Sequence, residues 1–166
     1  IPRCSMHEEQ IADYLCDFAK DRNLEHYRDA ANNVIIVKEP SKGYEDVEPI
    51  ILQGHMDMVC EKTFESKHDF SKDPIDFIVD RDLIIAKETT LGADNGIAVA
   101  MMLSLLDEEN LKNPRLECLF TTNEESGMTG ARNLDSSPLK GKRLINLDSE
   151  EEGVATVSCA GGQRSV

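Results

Sequence analysis

The stretch "PIILQGHMDMV", residues 49–59, decides how the rest of the chain is read. Residues 50–53 form a short run without polar alternation, the pattern of a strand covered on both faces, as in a parallel sheet. Gly54, His55, Met56 and Asp57 follow at once. In open α/β sheets ligands gather outside the carboxyl ends of the strands, so a histidine and an acid at that position are candidates for chemistry. On extended backbone, residues two apart share a face. Asp57 can therefore accept the spare ring N–H of His55 and fix the tautomer that presents the other nitrogen to a metal. Taken alone, H-x-D is equally the signature of a surface histidine beside an acid.

Outward from this stretch, helix and strand patterns alternate. Ser5-Met6-His7-Glu8 matches a capping box, and Ile11, Tyr14, Leu15 and Phe18 follow at helical spacing, which predicts an amphipathic helix over residues 6–22. A strand is expected at 34–37, then a loop through "KEPSKGYEDVEP". "FIVDRDLIIAKE" predicts a hairpin turning at Asp80-Arg81-Asp82. "GIAVAMMLSLLDEE", residues 96–109, is apolar nearly all round and predicts a deeply buried helix, with Met101 and Met102 as core filler. "RLECLF", "RLINL" and "VATVSC" read as strands, with a short helix in "GMTGARNL". This order predicts an α/β fold: a three-layer α/β/α sandwich around a largely parallel mixed sheet.

The 166 residues are enough for one domain with a sizeable core. Eighteen basic against 32 acidic side chains give a net charge of −14. That argues against nucleic acid and against an anionic membrane surface as partners. No apolar run reaches the roughly 18 residues of a membrane span. Cys4, Cys16, Cys60, Cys118 and Cys159 are odd in number, widely spaced and without C-x-x-C. They predict reduced thiols, mostly small core residues, in a cytoplasmic protein.

The rule of strand ends, applied to every expected strand, gives a pattern. Gly54-His55-Met56-Asp57 follows the first; Gly92-Ala93-Asp94-Asn95-Gly96 follows the hairpin; Asn123-Glu124-Glu125 follows "RLECLF"; Asp148 follows "RLINL". Four strand exits delivering histidine or acid to one edge favour a metal centre over a solvated edge. The glycines around Asp94 let the backbone aim its carboxylate inward, where two oxygens can bridge ions about 3.5–4 Å apart. Of the adjacent Glu124 and Glu125, one can bind a cation and the other remain free as a general base; acids at a helix N-terminus would also occur without catalysis. Histidine with carboxylates suits zinc, with manganese or cobalt as alternatives. Calcium is disfavoured by His55 and by the lack of a D-x-D-x-D-G loop.

At "ILQGHMDMVCEK", "TTLGADNGIAVAMML", "FTTNEESGMTGARNL", "LINLDSEEEG" and "SCAGG" the sequence resembles the dinuclear zinc dipeptidase and deacylase family, most nearly its aminoacyl-histidine (Xaa-His) dipeptidases. The resemblance implies two divalent ions: His55, Asp94 and Asp148 on one, Asp94 and Glu125 on the other, with Asp94 bridging. It implies that Asp57 orients His55, that Glu124 is the general base, and that the Asp94-Asn95 peptide is cis. The implied reaction is hydrolysis of dipeptides of Xaa-His type in a homodimeric enzyme. An N-acyl-amino-acid deacylase, another small-peptide peptidase and a non-catalytic metal-binding fragment are the alternatives.

One family feature is missing. The last histidine ligand of the second ion lies far toward the C-terminus in the family, and no histidine follows His68 here. Residues 1–166 are therefore expected to be the N-terminal portion of the catalytic domain, trimmed a little at the front, without the lid or dimerisation domain. By itself this portion is expected to have little or no activity.

Overall fold

A computed structural model describes residues 1–149 and 153–154. In chain order its elements are α1 (Glu9–Asp21), β1 (Glu25–Arg28), β2 (Val34–Lys38), β3 (Ile50–His55), β4 (Phe77–Asp80), β5 (Leu83–Ala86), α2 (Ala93–Asp107), β6 (Leu116–Thr121), α3 (Thr129–Arg132) and β7 (Arg143–Asn146). The architecture is α/β, with the mixed sheet ordered β1-β2-β6-β3-β7. Strand β3 runs parallel to both β6 and β7, whereas β2 runs antiparallel to β6 and to β1. The parallel register sets His55 opposite Thr121 and Gln53 opposite Asn146, so β3, β6 and β7 end at one edge. Three of the four expected strand exits share that edge; β5, the strand before Asp94, belongs to a separate two-stranded sheet.

Alternation along the strands divides the core between two faces. Val34, Ile36, Leu52, Cys118 and Phe120 meet Ile11, Leu15 and Phe18 of α1 and Val99, Met102 and Leu106 of α2. Ile35, Val37, Ile51 and Leu119 point the other way, packed by Leu134 and Leu139. Strand β1 has no counterpart among the expected strands: "EHYR" has no apolar pattern, and it forms by pairing with β2 at the sheet edge. The strand expected at 154–159 lies, apart from Val154, outside the described residues.

Two expectations are corrected here. Helix α2 is not buried all round: Ala98, Val99, Met102 and Leu106 are covered, but Ile97 and Met101 are 60% and 51% exposed. These two sit one turn apart on the face directed away from the core, so Met101 is not core filler, though Met102 is. Second, the cysteines are not all free thiols. Cys4 and Cys60 form a disulfide with Cα atoms 5.6 Å apart, while Cys16 and Cys118 are free and buried. The N-terminal arm lies parallel beside the chain leaving β3, through a bridge between Cys4 and Met58, and this brings together two cysteines 56 positions apart. Spacing in sequence carried no trace of that contact. Burial pushes the Cys118 thiol up to about 12, which makes it inert. Cys159 lies outside the described residues.

The hairpin forms as expected, with β4 and β5 as a separate two-stranded sheet turning at Arg81-Asp82. Helix α2 approaches the sheet at Gly54, where a Cβ would stand 2.6 Å from the Cβ of Ala98. Since both neighbours belong to rigid elements, Gly54→Ala must push α2 off β3. It is expected to cost about 1–3 kcal/mol, the usual range for overpacking, read as a lowered urea midpoint; an unchanged midpoint would contradict this packing.

Candidate metal centre

His55 ends β3 and is 1% exposed. Its Nδ1 lies 3.2 Å from the Asp57 backbone oxygen and 3.3 Å from Asp57 Oδ1. The ring is thereby held with Nε2 directed at two other acids, Asp94 Oδ1 at 3.0 Å and Asp148 Oδ2 at 3.9 Å.

Asp94 arrives from the entry to α2. Gly92 takes a left-handed conformation, φ +74°, and its carbonyl accepts from the Gly96 N–H. Asp94 and Asn95 depart from helical geometry and the peptide between them is cis. Asn95 Oδ1 accepts the Ala98 N–H, satisfying one of the free donors of the helix start. The amide thus serves the helix, leaving Asp94 turned toward His55 with a largely exposed side chain. Asp148 follows β7, its N–H bound by Asn146 Oδ1.

The exit of β6 is fastened to the same place. Asp57 is completely buried; its Oδ1 accepts the Glu124 N–H at 3.0 Å and its Oδ2 the Glu125 N–H at 3.3 Å. Oδ2 also accepts the Ser5 hydroxyl at 2.7 Å. Ser5 therefore does not cap α1: the capping-box expectation fails because its hydroxyl is drawn to Asp57, and α1 starts at Glu9 without a side-chain cap. Glu8 is likewise redirected, accepting the Met6 N–H and, across the fold, the Asn123 N–H at 2.9 Å. Nothing local to Ser5 or Glu8 distinguished this use from a cap; only the buried state of Glu8 does.

All six expected site residues thus converge. Ligand atoms of His55, Asp94 and Asp148 lie within 4.8 Å of one another, and so do those of His55, Glu124 and Glu125. One imidazole nitrogen among carboxylate oxygens is a donor set that zinc, manganese and cobalt accept. The surplus of carboxylates over the one imidazole makes a field that favours a cation. Burial pushes the His55 pKa down, but the hydrogen bond and charge of Asp57, with Asp148 and Asp94, outweigh it and raise it to about 9. With both ring nitrogens protonated, His55 donates to Asp57 and Asp94 together; a metal would replace the proton on Nε2. Burial raises Glu125 and Asp148, with neighbouring anions adding to the effect. For Asp57, burial is overcome by the bonds from His55, the Glu124 N–H and Ser5, and its pKa is lowered.

The sequence signature of peptidase family M28 matches residues 33–164. The chain belongs to that family. It is 46% identical over 162 residues to the cytosol non-specific dipeptidase of Escherichia coli, a match covering 98% of this chain and 33% of that protein. The crystal structure of aminoacylhistidine dipeptidase from Vibrio alginolyticus superposes with a TM-score of 0.88 at 44% identity, covering 92% of this chain and 31% of that one. Aminopeptidase PepT from Bacillus cereus superposes with a TM-score of 0.72 at 25% identity, covering 91% of this chain and 40% of that one. The chain therefore spans about a third of the length of these dipeptidase relatives. Among the described residues no helix is long and apolar enough to cross a membrane.

Because folding raises the His55 pKa from 6.5 to about 9, the metal-free fold binds this proton more tightly than the unfolded chain. That contribution to stability is complete below about pH 6.5 and is lost as pH rises through about 9. Urea midpoints measured in chelator should accordingly fall between about pH 6 and about pH 10, with a shallower fall in Asp57→Asn. A wild-type midpoint that rises over this interval would contradict the assignment.

Proposed function

We propose that this chain carries the larger part of a two-metal peptidase site that hydrolyses the amide bond of small dipeptides, Xaa-His dipeptides among them. The observation that carries the reading is the convergence of His55, Asp94, Glu125 and Asp148 on one sheet edge from separate segments of the chain. The dipeptidase relatives support the substrate class. A cytoplasmic setting is proposed on the name of the E. coli relative.

In this reading His55, Asp94 and Asp148 would hold one divalent ion, Asp94 and Glu125 would hold a second, and zinc is the favoured metal. When bound, such a pair lowers the pKa of water from 15.7 toward about 7 and polarises the scissile carbonyl. The chain's own groups do the rest. Asp57 keeps the proton of His55 on Nδ1, leaving Nε2 free to bind. Through the backbone N–H groups of Glu124 and Glu125 it also fixes where both glutamates stand. The Glu124 carboxylate makes no hydrogen bond or ion pair among the described residues, so it is free to take a proton from the attacking water and return it to the leaving amine. With the family's last histidine not among the 166 residues, the chain alone is proposed to hold the second ion incompletely and to turn over little dipeptide.

In the full-length enzyme, Glu124→Gln is expected to lower kcat by about 10²–10⁴-fold, the usual contribution of general acid–base catalysis, while retaining its metal. His55→Ala should lose metal and activity together. Dipeptide turnover and metal content measured on the same samples test this, and near-normal turnover by E124Q would remove Glu124 from its role.

A further inference from the structure

The two glycines beside Asp94 have a neighbour that their conformation alone does not account for. The side chain of Arg3 runs inward from the N-terminal arm. Its Nη1 donates to the carbonyl oxygens of Met56 at 3.0 Å and Asp57 at 3.2 Å, and its Nη2 donates to the carbonyl oxygen of Gly92. One guanidinium therefore spans the exit of β3 and the entry of α2, the segments that deliver His55 and Asp94. The Asp57 carbonyl that accepts from Arg3 also faces His55 Nδ1 at 3.2 Å.

Space is left for this contact. A Cβ on Gly92 would fall 2.6 Å from Arg3 Nη2, and a Cβ on Gly96 would fall 2.7 Å from the same nitrogen. The arm is held in place independently: Met58 N–H donates to the Arg3 carbonyl at 3.0 Å, Cys4 is bonded to Cys60, and Ser5 is hydrogen-bonded to Asp57. Arg3, Cys4 and Ser5 thus each grip the segment after β3, but only Arg3 continues to α2.

We infer that Arg3 is a positioning residue: its guanidinium ties the Gly92 carbonyl to the Met56–Asp57 backbone and so sets the span between His55 Nε2 and Asp94 across which an ion is held. This rests on the metal-centre reading above. A planar fork that reaches three carbonyl oxygens at once is a property of arginine; the point charge of lysine does not reproduce it.

Gly96 supplies a probe that spares the acids. It lies in α2 without a left-handed φ, so alanine suits its backbone, and the atom a new Cβ would meet is the tip of a flexible side chain. Gly96→Ala should therefore expel Arg3 and leave the helix intact, alanine being the better helix former. The test is titration of the full-length, metal-stripped protein with Co2+, reading affinity and the visible d–d bands, for wild type, Arg3→Ala, Arg3→Lys, Gly96→Ala and the Arg3→Ala/Gly96→Ala pair. Each single change is expected to weaken binding about tenfold or more, as loss of hydrogen bonds from a charged donor does, and to shift the bands. In the Arg3→Ala background Gly96→Ala should add nothing, because its target is gone. Wild-type affinity and bands in Arg3→Ala, or in Gly96→Ala should the arginine variants not fold, would overturn the inference, as would full additivity of the pair. Failure of the wild type to bind Co2+ would overturn the metal-centre reading, and the role of Arg3 with it.

Discussion

A carboxylate with no solvent access costs several kcal/mol unless its oxygens are fully engaged, and Asp57 meets that condition with donors from separated parts of the chain. The Ser5 hydroxyl comes from the N-terminal arm, His55 Nδ1 from the end of β3, and the N–H groups of Glu124 and Glu125 from the exit of β6. Satisfying this one buried charge brings those segments into register. It also decides which face of His55 is available, since the nitrogen bound toward Asp57 leaves the other facing Asp94 and Asp148.

The arrangement gives the acidic surplus of the chain a local meaning. Around His55 stand Asp57, Asp94, Asp148, Glu124 and Glu125, an assembly of like charges that favours a cation among them. In the metal-free fold the second proton of His55 supplies it, which is why that ring is held charged well above its ordinary range. In the proposed metal centre a divalent ion between the same groups would replace the proton with a larger charge.

Much of this was legible in the sequence, for reasons that particular residues make clear. The strand exits were visible because an apolar run followed by Gly and His, or by Asn-Glu-Glu, marks where a buried strand reaches an edge, and parallel register then fixes which edge. The helix after Asp94 was legible from its length. Its exposed face was not, because a helix apolar all round gives no phase from which to say that Ile97 and Met101 point outward. Strand β1 carries no signal of its own and exists through its partner. Ser5 and Glu8 matched a local motif so well that their long-range bonds to Asp57 and Asn123 were hidden by it. The pairing of Cys4 with Cys60 and the reach of Arg3 to Gly92 depend on a close approach of distant segments. No spacing rule expresses that.

His55, Asp94, Glu125 and Asp148 are proposed to surround divalent ions. Crystals of the full-length protein grown with Zn2+, with anomalous differences collected on either side of the zinc edge, test it most directly. Zinc-specific density is expected within coordination distance of His55 Nε2, Asp94 and Asp148, with a second peak between Asp94 and Glu125. Zinc absent from this edge while bound at other acids of the surface would contradict it.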